Sequence, residues 1–170
     1  LTTGRALAYQ RITSLYADPK PRIEKTRLSD SPVQSNVLRQ RAATKRWVPG
    51  DIETYHLYEA LFESDTYQAL LRIFKRYHRS LVEAFSTTAT DKEGYPLLAG
   101  DSFDFTFWNI VWNDRTKQYG FIDNEWEWKG RLPVDYVLFR SLYYFILSQR
   151  PYLRTRLPNT DLEATVVDLI

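Results

Sequence analysis

The chain has no cysteine and no methionine, and only 2 histidines, in 170 residues. Without cysteine there is no disulfide, no thiolate zinc site and no cysteine nucleophile. Two histidines are too few for a histidine-rich metal centre. No apolar run approaches the roughly 20 residues a spanning helix needs, and no short apolar segment follows a basic start. The sequence therefore predicts no integral membrane segment and no secretory signal, and the expected compartment is the cytoplasm. Because the chain opens on Leu1 and lacks methionine, it reads as part of a longer protein with pieces upstream.

What is present is an ordinary globular composition, 44% hydrophobic and 26% charged, enough for one real core. The net charge of +2 conceals an asymmetry: residues 1–50 hold ten Lys/Arg against three Asp/Glu, residues 51–170 thirteen against eighteen. A local basic excess can meet nucleic acid, acidic lipid, nucleotide phosphates or a partner domain. The basic stretch has no RNA-binding signature and no interleaved aromatic platform, so nucleic acid is not expected. A solvated face is the simplest reading.

Alternation predicts an exposed or edge strand over Arg22–Leu28, behind the turn-forming Asp18-Pro19-Lys20-Pro21. Ser29-Asp30-Ser31-Pro32 predicts a cap for a short helix running to about Arg41. Residues 52–63 read as a helix with Asp51 as its N-cap, and Ser64-Asp65 as the start of the next. In that next helix Tyr67, Leu70, Leu71, Phe74, Tyr77, Leu81, Val82 and Phe85 recur at three- and four-residue steps, one apolar stripe against a core. Thr90–Gly94 reads as a polar loop. Ile110-Val111-Trp112 and Tyr119-Gly120-Phe121-Ile122 predict a hairpin around a polar turn, and residues 134–148 an apolar helix. Neither an internal repeat nor a low-complexity tract is present.

The chemistry-bearing stretch is Asp104-Phe105-Thr106-Phe107-Trp108-Asn109, followed by Phe121-Ile122-Asp123-Asn124-Glu125. Asp104 and Asn109 precede the hairpin's first strand and Asp123 follows its second, so all three can gather at its open end. Phosphoryl transfer needs a carboxylate to orient an acceptor hydroxyl and hard oxygen ligands for magnesium beside ATP. Asp104 fits the first role, Asn109 and Asp123 the second. Against this stands plain structure: Asp104 and Asn109 also suit a capped turn, and Asp123 at a strand end could answer a basic side chain. Glu125 and Glu127 divide between a supporting role and a solvated edge. His56 and His78 belong to no partnered motif. Trp108, Trp112, Trp126 and Trp128 read first as core or interface, with a sugar platform as the lesser reading.

Over residues 95–148 the chain resembles the aminoglycoside phosphotransferase and choline kinase branch of the protein-kinase-like fold. Asp104 and Asn109 match its loop His-x-Asp-x-x-x-x-Asn, and Ile122-Asp123-Asn124-Glu125 its metal-binding segment. Asp135, twelve residues past Asp123, matches an acid that braces the catalytic loop there. Phe121–Trp126 with Pro133–Arg140 looks closer still to the kinase-like domain attached to methyltransferases and glycosyltransferases of bacterial surface polysaccharide synthesis. In that resemblance Ala8-Tyr9 to Ala17 and Ile23-Glu24-Lys25 look like N-terminal lobe strands, and Val48-Pro49-Gly50 like the hinge beneath a nucleotide base. Lys25 would then touch phosphates, although exposed-strand solvation is its equal alternative.

The resemblance implies an α+β, kinase-like fold: a reduced, β-rich N-terminal lobe and hinge over residues 1–50, and a mainly helical C-terminal lobe with the catalytic hairpin over residues 51–170, together one unit. It implies a phosphotransferase using ATP and Mg2+ on a sugar or other small hydroxyl acceptor, with Asp104 catalytic, Lys25 on the nucleotide, Asn109 and Asp123 on metal, and Glu125 and Asp135 supporting. A covalently linked methyltransferase or glycosyltransferase domain is the implied partner. Ser102 replaces the family's histidine, no glycine-rich phosphate loop is visible, and between Asp30 and Val48 there is no acid to orient Lys25. Those departures motivate a second reading, a catalytically silent kinase-like module that scaffolds such an enzyme. A third is a glycan-docking module that uses its tryptophans without nucleotide.

Overall fold

Asp65 starts the helix around which the core is organised: its Oδ1 accepts the Gln68 N–H at 3.1 Å, and α2 then runs Thr66–Phe85. The computed structural model describes residues 11–17, 20–28, 35–41, 43–158, 161 and 164. Leu70, Phe74, Tyr77, Leu81 and Phe85 are buried as the stripe predicts, whereas Tyr67, in the first turn, faces solvent. They meet α1 (Glu53–Ala60), α3 (Val134–Arg156) and the loop that carries Phe105 and Phe107. Tyr77 stacks on Phe105 with ring centres 5.6 Å apart. Its buried hydroxyl reaches Ser141 Oγ at 2.8 Å and the Phe105 carbonyl. Burial of each such large side chain stabilises by about 1.5–3 kcal/mol.

The strands form small antiparallel sheets. β1 (Arg11–Tyr16), β2 (Arg22–Arg27) and β4 (Ala43–Arg46) make one, in the order β1-β2-β4. Between β2 and β4, the described residues 35–41 hold no part of the helix predicted to run to Arg41. Residues 29–34 lie outside the described residues, and Leu38–Gln40 is a strand, β3. It pairs across the chain with β10 (Trp126–Trp128), Gln40 opposite Trp126, so tertiary pairing overrides the local cap signal. Ala8 and Tyr9, likened to lobe strands, and Asp18-Pro19 also lie outside the described residues.

β5 (Asp51–Ile52) pairs with β8 (Ile110–Asn113), which forms the expected hairpin with β9 (Gln118–Phe121). Asp51 is thus strand and not the N-cap of α1; Ile52 holds that position with no side-chain cap, and α1 ends at Ala60 rather than at residue 63. β6 (Ser86–Thr90), β7 (Pro96–Ala99) and β11 (Arg131–Pro133) form a sheet the sequence did not disclose, in the order β11-β7-β6. A 3-10 helix, Gly100–Asp104, follows β7. α3 continues past residue 148 and through Pro151, because buried Leu153 holds its last turns on the core. The class is α+β, with the strand-rich part first. Among the described residues no helix is long and apolar enough to cross a membrane.

One charged network sits inside this frame. Glu53 is 0% exposed and takes both carboxylate oxygens to Arg76 Nη2, at 2.7 and 2.8 Å. Tyr119 also donates its hydroxyl to Glu53, and the Arg76 guanidinium lies 4.2 Å above the Trp112 ring. Burial raises the Glu53 pKa, opposed by the Arg76 and Tyr119 hydrogen bonds. Removing the cation strands a buried carboxylate, so Arg76→Ala is expected to lose about 3–5 kcal/mol in urea unfolding. Arg39→Ala, which breaks a pair on the exposed Arg39 side chain, is expected to leave the midpoint nearly unchanged. Equal losses in the two variants would refute this assignment.

Candidate functional site

The backbone of β10 runs directly over the 3-10 helix. A side chain at Gly100 would place a Cβ 1.9 Å from the Trp128 carbonyl oxygen, so only glycine permits the approach. The approach brings the end of the 3-10 helix beneath β10, where Asp104 Oδ2 accepts the Trp126 N–H at 2.6 Å. Asn109 Nδ2 donates back to the Asp104 carbonyl at 3.1 Å. The Asn109 carbonyl in turn accepts the N–H groups of Ile122 at 2.9 Å and Asp123 at 3.3 Å. These bonds staple the open end of the hairpin. Asp104, Asn109 and Asp123 accordingly line one cleft of about 440 Å³, with Glu125, Trp108 and Phe103 also on its walls.

Lys25 enters from β2. Its Nζ lies 2.6 Å from Asp123 Oδ1 and 3.1 Å from Glu125 Oε1, and its side chain is only 10% exposed. The acids absent between Asp30 and Val48 are therefore supplied from about a hundred residues downstream. Nor is the basic excess simply a solvated face. Arg39 pairs with Glu127, and Arg41 lies 3.6 Å from Asp101 and 3.8 Å from Glu127, so the basic strands dock on the acidic segment. Arg11 Nη2 donates to the Arg41 carbonyl at 2.6 Å, while its Nε and Nη1 are buried without a hydrogen-bond partner among the described residues. Burial lowers the Arg11 pKa, with Glu125 and Asp123 opposing. The Gln40 side-chain amide is also buried without a partner among the described residues.

Asp104 is 4% exposed, and its pKa is pushed up to about 6. Burial is the main cause; the Trp126 N–H and Arg140 pull it down, and Asp123 and Glu125 push it up. Arg140 Nη1 stands 3.8 Å from Asp104 Oδ1 and donates to the Phe103 carbonyl, with its guanidinium 4.1 Å over the Phe103 ring. Asp135 lies in the first turn of α3, and its carboxylate makes no hydrogen bond or ion pair with the described residues. The Phe103 carbonyl is held by Arg140 instead, which also lies within ion-pair distance of Asp104. Sequence reasoning assigned no role to Arg11 or Arg140; for Arg140 the available signal was one basic residue in an otherwise apolar helical run.

Hard-oxygen ligands for an ion would come from Asp123 and Asn109. Among the described residues no group of three or more His, Cys, Asp or Glu is placed to hold a metal ion by itself. Magnesium in nucleotide sites is held by one or two carboxylates plus phosphate oxygens, so this pair suits it only together with a phosphate ligand. The unpartnered N–H groups of Arg11 and the Gln40 amide are donors of the type phosphate oxygens accept. Comparison with protein-family models, with curated proteins and with solved structures finds no match to this chain.

The raised Asp104 pKa has a signed consequence. The folded value of about 6 exceeds the ordinary 3.8, so folding binds a proton in that window and this carboxyl lowers stability as pH rises through it. Asp104→Asn retains an acceptor for the Trp126 N–H. Its stability relative to wild type is expected to rise by roughly 2 kcal/mol from pH 4.5 to pH 7.5 in urea unfolding. A pH-independent difference would show that Asp104 is not held up by burial.

Proposed function

We propose that the cleft is a kinase-like phosphoryl-transfer site that uses ATP and magnesium to phosphorylate a sugar or other small hydroxyl acceptor, in keeping with the resemblance to the kinase-like domain attached to enzymes of surface polysaccharide synthesis. One observation carries the reading: Lys25 and Asp123, far apart in sequence, meet at 2.6 Å beside a cleft that also contains the buried Asp104. A cation for phosphates, an acid for metal and a carboxylate near neutrality are the parts such chemistry requires.

In this reading Asp123 and Asn109 hold magnesium, which when bound neutralises charge on the phosphates. Lys25 binds phosphate oxygens. Asp104 accepts the acceptor's hydroxyl proton as that oxygen bonds to the terminal phosphorus of ATP and the bridging phosphorus–oxygen bond breaks, releasing ADP; the proton then passes to solvent. With its pKa at about 6, Asp104 is ionised and ready to act as base above that pH.

A second reading has its own observation. Lys25 is already engaged by both Asp123 and Glu125, so the cleft is electrically satisfied by itself, as a silent module scaffolding a methyltransferase or glycosyltransferase would be. Calorimetry separates the two. The phosphotransferase reading expects magnesium-dependent ATP binding that Asp123→Ala and Lys25→Ala each weaken by about tenfold or more. It also expects transfer that Asp104→Asn abolishes while ATP still binds. Wild-type protein that takes up no ATP with magnesium would overturn the reading in favour of the silent module.

A further inference from the structure

A second cavity, of about 360 Å³, opens between α1 and α3, with Thr54, Tyr58, Phe107, Trp108, Tyr144 and Ser148 among its lining residues. Trp108 also lines the carboxylate cleft, so one indole forms a wall of both spaces. The volume falls within the roughly 300–1,000 Å³ of small-molecule sites. No charged side chain lines it. Trp108 and Tyr144 meet edge to face, with ring centres 5.8 Å apart and planes at 86°. They nonetheless stay 38% and 52% exposed, two large rings left facing solvent beside a cavity.

The polar groups of this wall are neutral. Ser148 Oγ donates to the Phe145 carbonyl at 2.9 Å and accepts from Gln149 Nε2 at 3.2 Å, which also donates to the Tyr58 hydroxyl at 3.5 Å; one Ser148 lone pair is left over. The side-chain hydroxyls of Thr54 and Tyr144 and the Trp108 indole N–H make no hydrogen bond with the described residues. Aromatic faces with hydroxyl and amide groups around them match a ligand that has an apolar face and a rim of hydroxyls. An acidic ligand would find no cation in this lining. An ammonium ligand would find rings but no carboxylate, since the acids line the other cleft.

We propose that this cavity binds an uncharged sugar ring of a glycan, stacked against Trp108, so that the neighbouring unit reaches the carboxylate cleft. That this glycan is the phosphoryl acceptor rests on the phosphoryl-transfer reading; the binding does not. The test is NMR of the full chain with its 5 tryptophans labelled, the Trp108 indole N–H being assigned by Trp108→Phe. Methyl glycosides of glucose, galactose, mannose, rhamnose and N-acetylglucosamine are titrated without nucleotide to about 100 mM, the range of single-sugar contacts. At least one is expected to shift the Trp108 signal saturably, and Tyr144→Ala, an exposed change that should spare folding, to weaken it about tenfold.

No glycoside moving Trp108 would overturn the proposal, as would tetramethylammonium moving it where glycosides do not. Sugar binding in a protein that takes up no ATP would uphold this inference and refute phosphoryl transfer. ATP binding with a Trp108 signal indifferent to every glycoside would do the reverse.

Discussion

Glu53 stands directly after β5 with no exposure to water, and a carboxylate so completely desolvated is tolerable only with a cation and further donors against it. Arg76 of α2 and Tyr119 of β9 supply them, and Trp112 of β8 stacks beneath the guanidinium. The pair therefore ties the first turn of α1 and the middle of α2 to both strands of the hairpin. Hairpins are stiff in register, so fixing one part fixes the rest. The open end, where Asn109 accepts the Ile122 and Asp123 N–H groups, is held in place from Glu53 outward. This buried pair contributes less as net stabilisation than as a constraint: other packings of the hairpin would leave a charge unmatched.

The second constraint is charge complementarity between the two ends of the sequence. The basic segment carries Lys25, Arg39 and Arg41, and the segment after the hairpin carries Asp123, Glu125 and Glu127. Backbone pairing of β3 with β10 supports the same junction. The contacts differ in weight. Lys25–Glu125 is shielded at both ends, whereas Arg39 is mostly in solvent and adds little. A partly desolvated lysine between two carboxylates is strongly held, and a phosphate must compete with both to claim it. In the phosphoryl-transfer reading, a cation on Asp123 would relieve one of the two, so metal and nucleotide would favour each other's binding.

Much of the site was legible in the sequence because its residues flank one local element. Asp104, Asn109 and Asp123 bracket a hairpin whose alternation and polar turn are short-range signals, and the α2 stripe is equally local. What escaped was long-range. β3 follows a helix cap signal at Ser29–Pro32 and is a strand because β10 is there to pair with it. β6, β7 and β11 are short, and only their mutual pairing makes them a sheet. Lys25 was singled out through a resemblance, but its partners lay about a hundred residues away, and spacing within residues 31–48 could only show that no acid was near. Arg140 and Glu53 are charges placed in buried surroundings, where charge would not be looked for without seeing the opposite charge arrive.

The fold also sets the chemistry available to Asp104. In the kinase-like pattern a histidine precedes this position; here Ser102 does, and its hydroxyl is fully buried with no hydrogen-bond partner among the described residues. A neutral hydroxyl without a contact to the carboxylate does nothing for its charge. Stabilisation is left to the Trp126 N–H at 2.6 Å and to Arg140, whose 3.8 Å separation makes it a weaker, mainly Coulombic partner. Asp123 and Glu125 act in the opposite sense, and their effect is itself diminished by the charge of Lys25 beside them. The pKa near 6 thus reflects how closely β10 covers the 3-10 helix, a distance set by the absence of a side chain at Gly100. Drawing Lys25 toward a phosphate would uncover the two carboxylates and push the Asp104 pKa higher. Neutralising Asp123 with a metal would restore it, which ties the proton affinity of Asp104 to the occupancy of the whole cleft.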